Sequence, residues 1–238
     1  QTHDNAVIGN VVQDISGSGI VADLALTGTS QREIVQNNYV TRIGRDYRGS
    51  VGIFGNYVKG FQVEHNELVD MPYSGIGIGH IGPLSSSDNL IRYNRVHGFL
   101  RLLEDGAGIA TSNQSQGTRI VENYIYDAVV TGLAGSWNGV HAVYLDEQTN
   151  NATLQDAVIE NIASGLFLHI ASNNTIINFT STVLDKGTNN SFITKPGFDP
   201  LAVKSNSGIE SAYRDIIPSN VTGQNKTLPA GPTNLRIQ

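Results

Sequence analysis

The stretch FQVEHNELVDMPYSGIGIG, residues 61–79, holds two patterns that recur along the chain. The first runs aliphatic residue, two others, asparagine, one other, aliphatic residue, here Val63/Asn66/Leu68. It returns at Val7/Asn10/Val12, Val35/Asn38/Val40, Ile91/Asn94/Val96 and Ile120/Asn123/Ile125, with asparagines 28, 28, 28 and 29 residues apart. A period this constant marks stacked structural repeats. The second pattern pairs small residues with an aliphatic one: SGI at 18–20, VGI at 51–53, SGI at 74–76, AGI at 107–109, HAV at 141–143 and SGL at 164–166.

Runs of three to five strand-forming residues, broken by Gly, Asn and Asp and lacking helical periodicity, describe a coil whose turns stack as parallel strands about 4.8 Å apart. The expected fold is all-β, a right-handed parallel β-helix of about seven coils and roughly 30 Å in height. Two short strands per turn are expected, with the aliphatic positions filling the interior. Asparagine suits the bend between strands because it tolerates left-handed backbone and its stacked amides can form a ladder. The asparagines are therefore read as structural, with Asp156 and Asn178 as degenerate continuations. An open first coil calls for a cap or for further coils. Residues 1–217 are assigned to the β-helix. Residues 218–238 read as a linker or the start of a further module, with PTNLRI similar to the opening strand of a fibronectin type III domain.

Composition narrows the function. In 238 residues, 15 Lys and Arg face 21 Asp and Glu, a net charge of −6. Binding through phosphates needs a basic face, so nucleic acid is disfavoured. No apolar run is long enough to span a bilayer and no basic amphipathic stretch suits its surface, so no membrane partner is expected. Zero cysteines exclude disulfides and thiolate sites. No HxxE or HxH spacing supports zinc, so neither metal nor cofactor is expected. The glycines at 75, 77 and 79 precede no helix or closing lysine and are not a phosphate loop. Seven glycosylation sequons, at Asn113, Asn151, Asn173, Asn178, Asn189, Asn220 and Asn225, lean towards a secreted glycoprotein.

Aligning coils on Ile53, Ile76, Ile109 and Val143 stacks equivalent residues into rows, which is how a solenoid builds an extended groove. Upstream of the strand lie Asp46, Tyr47 and Arg48, then Asp70 and Tyr73, Glu104 and Asp105, and Trp137, Asn138 and His141. Downstream lie His80, Asn113, Asp146 with Glu147, and His169. Carboxylates, flat aromatics and histidines along one groove suit a carbohydrate partner. Glycoside cleavage needs two carboxyls, one acid and one base or nucleophile. Asp105 and Asp146, from adjacent coils, are the candidate catalytic pair. Arg48, Tyr73, His80, Trp137, His141 and Glu147 are the candidate substrate-binding residues. Bland roles compete: turn aspartates usually bond the backbone, and paired acids are common on solvated faces. The register also sets the two aspartates seven strand positions apart, roughly 23 Å along an extended chain.

At these acids the sequence resembles the carbohydrate-active β-helix proteins around glycoside hydrolase family 141, whose described activities include α-L-fucosidase and xylanase. The resemblance spans about residues 5–217 and rests on HNELVDMPYSGIGIG (65–79), EDGAGIATSNQSQGTRIVENYIYD (104–127), HAVYLDEQ (141–148) and IESAYRDII (209–217). It implies that Asp105 of EDGAGI and Asp146 of VYLDE are the acidic pair of a glycosidase. Ala107 and Ala110 stand where the family motif has glycine and tyrosine, and His80 stands where tryptophan is often found. Two rival readings remain from the residues alone. One is a calcium-dependent uronate lyase using Asp46, Asp70 and Arg48; the other is a non-catalytic, adhesin-like sugar binder.

Overall fold

A computed structural model describes residues 2–23, 29–79, 85–113, 115–128 and 139–219. The chain is a right-handed parallel β-helix. Among the described residues it forms an eight-stranded, a six-stranded and a seven-stranded parallel sheet, plus one two-stranded pair. Three strands per coil replace the two expected. The asparagine unit splits at its corner: Ile34–Gln36 joins the eight-stranded sheet and Tyr39–Thr41 the six-stranded one. The SGI-type strands form the seven-stranded sheet in the expected register, with Ile20, Ile53, Ile76, Ile109, Val143 and Leu166 stacked in one row.

Side chains that alternate along each strand leave one row per sheet pointing inward. Val35, Val63, Ile91, Ile120 and Leu154 fill the first row, and Val40, Leu68, Val96 and Ile125 the second, all in one buried core. At Gly75 the chain runs close to that core. A Cβ there would stand 2.5 Å from Val96 Cγ1 and 2.6 Å from the Gly108 carbonyl oxygen, so no larger residue fits.

At the corner, the left-handed residue is the one before each ladder asparagine: Asn37, His65, Tyr93 and Glu122 have φ of 56°, 53°, 52° and 54°. The asparagine serves instead through its amide. Asn66 Nδ2 donates to Asn94 Oδ1 at 3.0 Å and to the Val35 carbonyl at 2.9 Å, while Asn66 Oδ1 accepts the Asn38 backbone N–H at 3.0 Å. The same bonds link Asn10, Asn38, Asn66, Asn94 and Asn123. Left-handed backbone costs about 1–2 kcal/mol for a residue with a Cβ, and the ladder offsets it by pairing buried backbone groups that the turn would orphan. Asp156 and Asn178 have φ of 53° and 52° and so continue the left-handed row. They do not continue the ladder, whose next place is taken by Ala157.

The coils then shorten, and the eight-stranded sheet gains a last strand at Ser191–Ile193, one rung more than the seven coils expected. After it, Asp199 caps a short helix, Pro200–Asn206, and the chain runs back over the left-handed corners. Gly208 N–H donates to the Tyr93 carbonyl at 2.8 Å, and Glu210 N–H donates to Asn37 Oδ1 at 2.9 Å. The tail from residue 220 lies outside the described residues. Among the described residues no helix is long and apolar enough to cross a membrane.

The ladder predicts a gradient. Asn94→Ala, at a fully buried rung, should lose about 3 kcal/mol or more by stranding several buried partners, whereas Asn10→Ala at the exposed end should lose under about 1 kcal/mol. Chemical denaturation of the two variants measures the difference.

Candidate active-site cleft

On the outer face of the seven-stranded sheet, one row across the coils reads Val21, Phe54, Gly77, Ala110, Tyr144 and Phe167. Two small residues between large rings leave a hollow, a cleft of about 510 Å³ floored by Gly77 and Ala110 and flanked by Phe54 and Tyr144. Tyr73, Asp105, Asp146 and Glu147 also line it.

Asp146 follows the buried strand Val140–Leu145. Ala142 and Val143, adjacent in sequence, both sit in the core, so alternation breaks there and His141 and Tyr144 share the outer face. Tyr144 stacks on Phe167 with ring centroids 4.9 Å apart and donates its hydroxyl to Asp146. On its other side Asp146 Oδ1 lies 2.9 Å from His169 Nδ1, brought over from the next coil. Burial, then the charge of Asp146, pushes the Tyr144 phenol well above its ordinary range. Burial, then the charges of Asp105 and Asp146, raises Tyr73 as well. Both phenols therefore stay neutral donors across ordinary pH.

Asp105 stands at the opposite end. It adopts φ of 61° just before the strand Gly106–Thr111, and its carbonyl accepts the Tyr73 hydroxyl. Leu145 pairs with Thr111, which places Asp146 seven residues along the strand from the level of Asp105. The strand runs on through Gly106 and Gly108, and its pairing with Val140–Leu145 skips Gly108 and Ala142, where the alternation breaks. Both fields nevertheless reach the Tyr73 and Tyr144 hydroxyls between them.

The other sequence candidates scatter. Glu147 lines the cleft and Arg48, next to the lining residue Gly49, does not. His141 is 2% exposed, packed 4.8 Å from Phe167 with Nδ1 2.6 Å from Ser164 Oγ, so it supports the aromatic stack and does not face a substrate. His80 and Trp137 lie outside the described residues. The lyase set does not assemble: Asp70 pairs with Arg101 at 2.6 Å, and Asp46 accepts the Ser16 hydroxyl. Asn113 and Asn178 are 7% and 8% exposed, which leaves no room for a glycan on either.

Sequence reasoning placed His169 in the downstream row without a role. Carrying the register one coil further, Leu145 opposite Leu168, puts it beside Asp146. Tyr144 was missed because nothing in the sequence says which side of a fully buried strand is outer. Local spacing gave no metal site. Yet among the described residues Asp146, Glu147 and His169 form one group whose donor atoms all lie within 4.8 Å of one another.

Residues 1–139 match the model of a family described as periplasmic copper-binding protein (NosD). The chain belongs to the NosD family. A solved glycoside hydrolase superposes with a TM-score of 0.68 at 22% identity, over 90% of this chain and 36% of that protein, a likeness of fold. The chain thus spans about a third of that enzyme's length. The A-module of the Azotobacter vinelandii mannuronan C-5 epimerase AlgE4 superposes with a TM-score of 0.49 at 13% identity, over 83% of this chain and 57% of the module. No curated protein matches the chain.

Tyr144 divides into two testable parts. Tyr144→Phe keeps the ring stack and should cost about 1 kcal/mol, while Tyr144→Ala should cost about 3 kcal/mol or more through the lost packing. Equal losses in chemical denaturation would show that the stack carries nothing.

Proposed function

We propose that the cleft binds a glycan and hydrolyses it with Asp105 and Asp146. The observation that carries the reading is two carboxylates at the ends of one cleft, with Tyr73 and Tyr144 kept as neutral donors between them. A sugar chain would lie along the strand direction, its rings against Phe54 and Tyr144 and its hydroxyls meeting the phenols. Asp146, oriented by Tyr144 and His169, takes the proton of the attacking water. Asp105 gives its proton to the leaving oxygen as the glycosidic C–O bond breaks. Water's hydroxyl ends on the anomeric carbon. The periplasmic family description and the exposed sequons support a place outside the cytoplasm.

That description also names copper. The chain has no cysteine, and its single methionine, Met71, is fully buried, so no sulfur is offered to a cation. The nitrogen of His169 and the oxygens of Asp146 and Glu147 fit a cupric ion, which would supply a Lewis acid at one end of the cleft.

The test is reducing-sugar release from fucosylated glycans, xylans and pectic fragments in the presence of chelator, with product anomers followed by NMR. The expected result is chelator-resistant release, lowered about 100-fold or more by Asp105→Asn and by Asp146→Asn. Ala110→Leu, which fills the floor, should abolish it. No release from any glycan, or full activity in both asparagine variants, would overturn the reading. An unsaturated uronate product would replace hydrolysis with elimination.

A further inference from the structure

The same end of the cleft gathers more donor atoms than the two carboxylates of hydrolysis. His169 and Glu147 are half-buried, and both sit beside Asp146. The three come from two neighbouring coils. Asp146 and Glu147 follow the strand Val140–Leu145, and His169 lies within Ser164–Ser172. Parallel pairing between these strands fixes the backbone beneath all three donors.

We propose that Asp146, Glu147 and His169 bind one divalent first-row transition-metal ion, and that its binding withdraws Asp146 from glycan hydrolysis. The second half rests on the glycan reading above; the first does not. His169 Nδ1 and Asp146 Oδ1 are 2.9 Å apart. Two ligands on bonds of about 2.0–2.1 Å, at angles between square and tetrahedral, stand about 2.9–3.3 Å apart. One edge of a coordination polyhedron is therefore already in place, and a Glu147 oxygen lies within 4.8 Å of the other two donors.

The donor set selects the ion. An imidazole nitrogen with two carboxylates suits cupric or zinc ions, with copper the tighter by the general order of divalent affinities. Calcium prefers six to eight oxygens on longer bonds of about 2.3–2.6 Å and does not suit imidazole. The three donors also lie beyond residue 139, past the segment that matches the family model. Any copper site belonging to the matched segment would be a different one.

The ion and the reaction exclude each other because they need the same atoms. In hydrolysis the Asp146 carboxylate accepts a proton from water, whereas in the metal complex its lone pairs are on the cation. An ion at this end would also fill part of the cleft beside Tyr144.

The experiment is calorimetric titration of the chelator-stripped protein with copper(II), zinc and calcium chlorides. It is run in a His3→Ala background, because His3 is an exposed histidine beside Asp4 that would add its own copper binding. Expected are one equivalent of copper and one of zinc, with no calcium heat. Affinity should fall about tenfold or more in His169→Ala and in Glu147→Gln. The copper EPR spectrum should show nitrogen hyperfine structure that His169→Ala removes and Glu147→Gln retains. Circular dichroism of each variant separates lost ligands from lost folding, and Glu147→Gln keeps the side-chain volume where His169→Ala does not.

Absence of stoichiometric binding, or binding unchanged in both variants, would overturn the site. Where glycan release is detectable, saturating copper should suppress it; release unaffected by bound copper would overturn the competition and leave the site standing. Because binding is read by heat and EPR, failure of the hydrolase reading does not affect the test of the site.

Discussion

Every coil of this protein must turn a corner inside a packed solenoid, where backbone donors and acceptors cannot reach water. The buried asparagine amide meets that constraint. It carries a donor and an acceptor in the geometry of a peptide group, so it continues hydrogen bonding around the bend where the backbone alone cannot. Asn38, Asn66, Asn94 and Asn123 are fully buried and bonded to one another. A coil slipped by one residue would break these bonds and also turn its aliphatic row outward. The ladder and the core thus enforce the same register.

Once register is fixed, the outer surface becomes a set of rows, and the cleft follows from the sizes in one of them. Gly77 and Ala110 lie between Phe54 and Tyr144, and a missing volume two coils wide is the hollow. The same stacking makes neighbours of Asp146 and His169, 23 residues apart in sequence. It also holds Asp105 and Asp146 apart, because a continuous strand lies between their levels. One rigid scaffold therefore concentrates the ionisable groups at the Asp146 end and leaves Asp105 at the other.

Much of this was legible in the residues. The 28-residue asparagine period gave the solenoid, and the SGI-type repeats gave the register of the sheet that bears the cleft. The number of sheets was not legible, because the split of Val35/Asn38/Val40 between two sheets depends on a left-handed residue at position 37. His65, Tyr93 and Glu122 occupy equivalent corners, and none of these residue types announces such a backbone. The return of residues 199–217 across those corners was equally hidden, since its contacts reach residues from 44 to 174 positions away.

The sequence by itself determined the coil, its period and the inward aliphatic rows of the asparagine repeats, because those are properties of alternation and repeat length, which a linear chain displays. It also narrowed the chemistry to carboxylates, imidazoles and hydroxyls by lacking cysteine. Only the tertiary structure decided which of those groups meet. Burial of His141 in the aromatic stack, pairing of Asp70 with Arg101, and convergence of Asp146, Glu147 and His169 all depend on distances between coils. Those distances are set by packing across the stack, where residues 23 or 33 positions apart become nearest neighbours and residues a few positions apart are held at opposite ends of a strand.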